Sequence, residues 1–377
     1  MSRKIAAHYA LIDGRLERNT IVEVDDERRI VRIEQCSDID NRAGVEFYPG
    51  ILIPGMVNAH CHLELSYLKG AIAEGTGFAG FARAIGSVRG NYRDEERITA
   101  AAKADATMWE EGVEAVLDIA NDELVMGVKE RSHIRYKSLF EIFGLTTTAI
   151  NKHLAMAERH PHSSITPHST YSLQDQVFKE ACAANDSVIS IHLLESDDEG
   201  NLYNKRGSLA EWYARMGWEC DFLHYGTPAR RIVESIVNDR RVVVVHGCKA
   251  TAEDVARLDN HFKTAVSWVL CPESNRYISG IKPPVEVLRK AGAQIAIGSD
   301  SLSSARTLSL IDNLRQIDDI PLEELLSWAT IGGAKALGME DTIGSISVGK
   351  CPGLVIIEGA DLHTMRLTEE SHARRLL

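Results

Sequence analysis

Gly50-Ile-Leu-Ile-Pro-Gly-Met-Val-Asn-Ala-His-Cys-His62 is the stretch that decides the fold. It starts as an apolar, β-branched run and ends in two histidines one residue apart. Near-continuous apolar runs of this kind suit parallel strands buried on both faces. Side chains two apart on a strand face the same side. His60 and His62 therefore point together, and Cys61 points away from them.

Working outward, seven more such runs follow: Val113–Ala120, Tyr136–Gly144, Ser164–His168, Ser187–Leu194, Arg241–His246, Thr264–Leu270 and Gln294–Gly298. Helical patterns lie between them. Thr251-Ala-Glu-Asp254 has the form of a capping box, and Thr227-Pro228 that of an N-cap followed by a first-turn proline. Eight strands alternating with helices predict an α/β fold, a (β/α)8 TIM barrel. The doubly wound open sheet is the competing architecture, but its Gly-rich phosphate turn is missing. The two ends do not fit the barrel. Short strand-like pieces (Tyr9–Ile12, Thr20–Val24, Arg29–Ile33), and near the C-terminus Gly344–Gly349 and Leu354–Ile357, predict a small β-sandwich formed from both chain ends. The expected division is 1–49 and 344–377 for that β unit and 50–343 for the barrel.

At 377 residues the chain exceeds the ~250–300 residues at which one core stops growing, which agrees with two units. The net charge of −12 argues against nucleic acid as a partner and for a small molecule. No apolar stretch approaches the ~18 residues of a membrane helix, and the N-terminus carries no convincing signal peptide. The seven scattered cysteines form no CxxC. Together these suggest a reduced, cytoplasmic protein. The Trp-bearing apolar segment Leu322–Leu337 could serve a homodimer interface as readily as barrel packing.

Catalytic residues of such barrels stand at the C-terminal ends of the strands. Here those ends read His60-Cys-His62, His168, His192 with Glu195 just beyond, His246 and Asp300. Metal-ligand residue types at one end of five runs point to a metal held by His60, His62, His192 and Asp300. Three imidazoles and a carboxylate suit one divalent ion, zinc ahead of iron. Such an ion acidifies water near neutral pH. Asp300 is placed to take the water's proton, Glu195 to move protons to and from the substrate, and His246 to bond the water or leaving group. His168 is expected at the substrate. Arg206, before Gly207, is a candidate to close over a polar substrate tail, and Phe81 to form a pocket wall. The HExxH, GxSxG and HxE…PCxxC motifs are absent.

These residues resemble the amidohydrolase superfamily. Pro54–His62 is similar to its PG(F/M)(I/V)(N/D)xHxH motif. Val245-His-Gly247, Leu270-Cys-Pro-Glu-Ser-Asn275 and Ile297-Gly-Ser-Asp-Ser301 are similar to later motifs in order. Gly344–Lys350 with Leu354-Val-Ile356 is similar to the closing segment, although Cys351-Pro-Gly353 replaces the usual Ala-Asp. No lysine lies near His168, where binuclear members carry a bridging one, which implies a single metal. His192-Leu-Leu-Glu195 resembles the HxxE of the deaminase branch. That resemblance implies water adding to the amino-bearing ring carbon, a ring nitrogen protonated by Glu195, and ammonia leaving. His62-Leu-Glu-Leu-Ser66 with Lys69-Gly70 resembles aminodeoxyfutalosine deaminase-like proteins, whose substrate is an adenine nucleoside derivative of a menaquinone pathway. Glu64 would then share His62's side and meet a ribose hydroxyl, provided the strand continues. Two other readings stay open: hydrolysis of a cyclic amide or a triazine-like halide on the same scaffold, and a non-catalytic ligand-binding barrel.

Overall fold

A computed structural model describes residues 2–36 and 43–377. Five strands open the chain: β1 (Arg3–Ile12), β2 (Arg15–Glu17), β3 (Thr20–Val24), β4 (Ile30–Gln35) and β5 (Val45–Pro54). Eight more follow in step with helices: β6 (Met56–Cys61), β7 (Val113–Ala120), β8 (Arg135–Ile142), β9 (Ser163–Pro167), β10 (Val188–Leu193), β11 (Arg241–His246), β12 (Ser267–Leu270) and β13 (Gln294–Ile297). Two strands close the chain, β14 (Leu354–Glu358) and β15 (His372–Arg375).

Strands β6 to β13 form the (β/α)8 barrel. They pair in parallel as two four-stranded sheets, β6–β9 and β10–β13. Single bridges join the sheets, Ser169 to His192 on one side and Cys61 to Asp300 on the other. Each seam thus joins a residue singled out above, His192 or Asp300, to the chain neighbour of another, Ser169 beside His168 or Cys61 between His60 and His62. Asn58 reinforces one seam: its amide donates to Ser299 Oγ at 2.7 Å and its oxygen accepts from Ser299 N at 3.0 Å. Inward-facing residues such as Ala59, Leu117, Val243 and Val269 fill the barrel interior. Their neighbours on the same strands face outward into the layer beneath the helices, as Val116, Val244 and Trp268 do. This is why the runs are apolar throughout instead of alternating. The helix N-termini follow their sequence signals. Thr251 Oγ1 accepts from Asp254 N at 3.2 Å while Asp254 Oδ2 accepts from Thr251 N at 3.0 Å. Thr227 Oγ1 accepts from Arg230 N at 3.2 Å, with Pro228 in the first turn.

The terminal strands pair in one continuous sheet, in the order β15-β14-β5-β1-β3-β4 with β2 on β1. Alternation along these strands separates two faces. Ile5, Val22, Leu52 and Ile356 share one apolar cluster, and Ile51, Ile53, Val355 and Ile357 belong to the core shared with the barrel. Gly344–Gly349 is not a strand. Gly344 turns with φ +80°, where a Cβ would meet Ala334 Cβ at 2.5 Å. The chain then reaches β4 through Gly349 N to Ile30 O at 2.8 Å and Ile30 N to Lys350 O at 2.9 Å. Leu322–Leu337 is likewise not one helix. It consists of a helix Leu322–Ser327, a π-turn Trp328–Gly332 and a helix Gly333–Leu337, and it buries Leu326, Trp328 and Ala329 in the barrel's outer core. Among the described residues no helix is long and apolar enough to cross a membrane.

Candidate active site

Seven of the barrel's eight strands, all but β12, end on one cavity of about 390 Å³. His60 and His62 leave β6 on the same side, as their spacing requires. His192 ends β10, and Asp300 follows β13. Donor nitrogens of His60, His62 and His192 lie within 4.8 Å of one another. Asp300 Oδ1 lies 3.7 Å from Nε2 of both His60 and His62. Its other oxygen accepts from Ser274 Oγ at 2.5 Å and Ser304 Oγ at 2.8 Å. The carboxylate is therefore clamped with one oxygen turned to the histidines.

The backbone is bent to achieve this. Leu194 (φ 52°), His246 (φ 71°) and Asp300 (φ 56°) are all left-handed, each just at or past a strand end. For residues with a Cβ this costs roughly 1–3 kcal/mol each, and such strain collects at functional sites. Gly298 makes the approach of β13 to β6 feasible, because a Cβ there would meet His60 Cβ and His60 O at 2.9 Å.

Among the described residues, several buried polar atoms in this cluster have no hydrogen-bond partner: Nδ1 and Nε2 of His60, Nδ1 of His62 and Nε2 of His192. Leaving such groups unpaired costs about 1–3 kcal/mol apiece. A cation coordinated by imidazole would take up one nitrogen of each ring, and the donor set of three histidines and a carboxylate fits a divalent transition metal. No cysteine contributes to the clustered ligand atoms among the described residues. Cys61 is buried, and burial pushes its thiol well up.

The electrostatics separate the two acids. Burial pushes Asp300 up, but His60, His62 and His246 outweigh it and hold the carboxyl well below its usual range. Glu195 is pushed up by burial. Its Oε2 lies 3.8 Å from His246 Nε2. His246 Nε2 is in turn 3.0 Å from His192 Nδ1, and His246 Nδ1 is 2.8 Å from Asn275 Oδ1. His62 is lowered to about 3, by burial and then by His60. His168 stacks on His192 with centroids 4.8 Å apart, and its Nδ1 faces Ser172 Oγ at 3.2 Å.

His62, His168, His192, Glu195, His246 and Asp300 all line the cavity, and Phe81 forms part of its wall. His60 lies directly beneath, fully buried. Glu64 and Arg206 are placed elsewhere. The strand stops at Cys61 and a 3-10 turn, Leu63–Leu68, takes over. That turn rotates Glu64 away from His62's side into the interior, where Oε2 accepts from Asn121 N at 2.8 Å and Oε1 lies 3.7 Å from Arg89 Nη2. Arg206 lies outside the lining, with its Nε donating to Asn201 Oδ1 at 3.2 Å. From the segment that follows Arg206, Trp212, Tyr213 and Trp218 line the cavity instead. Glu141, which the sequence reading passed over, also lines it. Burial pushes that carboxyl up to about 8. A signal was available: it ends β8 as His168 follows β9, at the catalytic edge.

Comparison with known proteins agrees with this architecture. A protein named adenosine deaminase from Helicobacter pylori is 28% identical over 318 residues, covering 78% of this chain and 76% of its own. The crystal structure of H. pylori aminofutalosine deaminase in complex with methylthio-coformycin superposes with a TM-score of 0.82 at 24% identity, covering 95% of this chain and 93% of that one. A Xanthomonas campestris adenosine deaminase with bound zinc gives 0.74 at 23% identity, over 96% and 85%. The amidohydrolase family model matches residues 51–373, nearly the whole chain, and the chain therefore belongs to the amidohydrolase family.

Proposed function

We propose that this amidohydrolase is a hydrolytic deaminase of an adenine-type nucleoside or related amino-heterocycle, with aminodeoxyfutalosine as the first substrate to try. One observation carries the reading: a three-histidine and aspartate cluster shares a cavity with Glu195, a half-buried glutamate whose carboxyl is shifted upward by burial while the histidines shift the aspartate's downward. Pairs of acids driven apart in this way divide acid and base work between them. The deaminase names of the sequence relatives support the choice of reaction, and the run His62–Ser66 supports the choice of substrate.

In this reading His60, His62, His192 and Asp300 hold one divalent ion, zinc before iron. Bound there, it would supply Lewis acidity and make water a better nucleophile near neutral pH. The chain's own residues do the rest. Asp300, ionised and clamped by Ser274 and Ser304, accepts the proton that water loses on adding to the amino-bearing carbon. Glu195 donates to the adjacent ring nitrogen and then helps carry a proton to the departing amine. His246 Nε2 stands between Glu195 and His192, where the ring can orient the attacking water or the leaving group. His168, with Phe81 and the aromatic side chains of the Trp212–Trp218 segment, contacts the substrate and excludes water. The barrel from β6 to β13 carries the chemistry, and the sheet of β1 to β5 with β14 and β15 is the supporting β unit.

The test is ammonia release by metal-analysed protein from aminodeoxyfutalosine, adenosine, methylthioadenosine, S-adenosylhomocysteine, guanine and cytosine, with Glu195→Gln as control. Release from a nucleoside, lost in the control, supports the reading and names the substrate. No release at full metal occupancy would sink deamination and turn attention to cyclic amides and halogenated triazines.

A further inference from the structure

Asn275 touches none of the clustered histidine ligands, yet it ends a chain of hydrogen bonds that leads to one. Its Oδ1 lies 2.8 Å from His246 Nδ1, and His246 Nε2 lies 3.0 Å from His192 Nδ1. All three residues are buried. An amide oxygen can only accept, so the proton between Asn275 and His246 sits on His246 Nδ1. Neutral His246 then has a bare Nε2, which can only accept, and the proton in the second bond sits on His192 Nδ1. Neutral His192 is left with a bare Nε2. That atom is buried without a hydrogen-bond partner among the described residues, and His192 is a member of the His60–His62–His192 cluster. A neutral imidazole can coordinate a metal only through its bare nitrogen.

The direction of the chain depends on the amide. If the side chain were turned over, its NH₂ would face His246 Nδ1. Each proton would then move to the other nitrogen, and an N–H of His192 would point into the cluster. The helix Pro272–Ser279 anchors the backbone of Asn275, whose N is bonded to Cys271 O at 3.0 Å. Its buried Nδ2 has no hydrogen-bond partner among the described residues, so the amide's orientation is read from the Oδ1 contact to His246.

We propose that Asn275 is a positioning residue: its amide oxygen sets the tautomers of His246 and then His192, and so prepares His192 Nε2 to hold a divalent metal. This rests on the metal-site reading above. It adds a determinant two residues removed from the ion, and it gives His246 a role toward His192 besides its place beside Glu195.

The experiment uses full-length protein, stripped of metal and labelled with ¹⁵N-histidine, whose ring nitrogens report the tautomers directly. It is followed by zinc titration against a competing chelator. Both are done for wild type, Asn275→Leu and Asn275→Asp. The expected result is Nδ1–H on both His192 and His246 in the wild type. Asn275→Leu should bind zinc about 10–100-fold more weakly, the usual effect of removing a partner behind a metal ligand. Asn275→Asp keeps the accepting oxygen and should retain both tautomers and most of the affinity. A merely structural asparagine would not make aspartate the rescuing residue. An Nε2–H on His192 in the stripped wild type overturns the proposal, and that observation needs no variant to fold. So does unchanged zinc affinity in folded Asn275→Leu, or loss of the tautomers in Asn275→Asp. A wild type that shows these tautomers but binds no zinc would instead overturn the metal reading.

Discussion

Two polar clusters lie buried on either side of the strand that ends in His60-Cys61-His62, and they are finished differently. On one side Asp118 accepts from Leu63 N at 2.9 Å and pairs with Lys129, which also reaches Ser138 Oγ at 3.4 Å. Both charged groups have oppositely charged or polar partners, and the cluster is closed on itself. On the other side His60, His62 and His192 present ring nitrogens with no partner. Burial depth does not separate the two clusters. Completion does. A closed cluster holds the backbone in place, whereas an open one has capacity left for something the chain does not supply. Asp118 belongs to both stories, because its bond to Leu63 N pins the turn immediately after His62.

The widest separation between the clusters should come from His62→Ala. His62 borders the cavity, so truncation opens space to solvent and leaves no sealed void. Turnover should fall by at least about a thousandfold, since the missing ligand removes several kcal/mol of charge stabilisation. The stability of the metal-free protein should change by under about 1 kcal/mol. Denaturant melts with and without chelator check both halves of this. A large stability loss in the metal-free variant would mean the open cluster is structural after all.

Lys129→Met makes the opposite prediction. It strands Asp118 in the interior and should cost about 3–5 kcal/mol of stability, while the double variant Lys129→Met with Asp118→Leu should recover much of that. Metal content per folded chain should stay at the wild-type level. If Lys129→Met stays stable but no longer binds metal, the distinction between the clusters collapses. A smaller effect separates the clusters through stabilisation by metal. At a free zinc concentration a hundred times the dissociation constant, the ion should add about 2.7 kcal/mol to the wild type. It should add far less to His62→Ala, and the full amount to the double variant.

What was legible in the sequence follows the same division. The open cluster could be read because its members end apolar runs, and strand-end position is a one-dimensional signal. HxH needs only the two-residue repeat of a strand. The closed cluster could not, because Asp118 and Lys129 are an ordinary charged pair 11 residues apart on a strand and the following helix. Only the fold turns them toward each other. Glu64 was misdirected for a local reason: the sequence gives no sign that the strand stops at Cys61. Arg206 was singled out for its charge, whereas the cavity uses the aromatic residues around it. Gly344–Gly349 has strand-like composition, but the close approach to Ala334 converts it into a turn.

The smallest effect tests whether closure also governs pH behaviour near the site. Glu199 is buried, accepts from Thr170 Oγ1 and Leu194 N, and thereby ties the loop carrying Glu195 to the loop after β9. Burial pushes its carboxyl from 4.5 up to about 8, against the pull of those two bonds. Above about pH 4.5 the unfolded chain gives up this proton while the folded chain keeps it. The folded state then binds more protons, so stability falls as pH rises toward 8, by at most about 1.4 kcal/mol per pH unit for one group. Glu199→Gln cannot ionise in either state, and it can offer an oxygen to Leu194 N and an NH₂ to Thr170. It should remove its share of the decline between pH 5 and 8. Glu64 and Glu141, raised to about 7 and about 8 in the same sense, should leave a residual slope. Chemical denaturation at half-unit pH steps measures the difference. Parallel stability curves for the wild type and Glu199→Gln would mean that the folded protein ionises Glu199 as readily as the unfolded chain does, and that its two bonds, more than its burial, govern the loop.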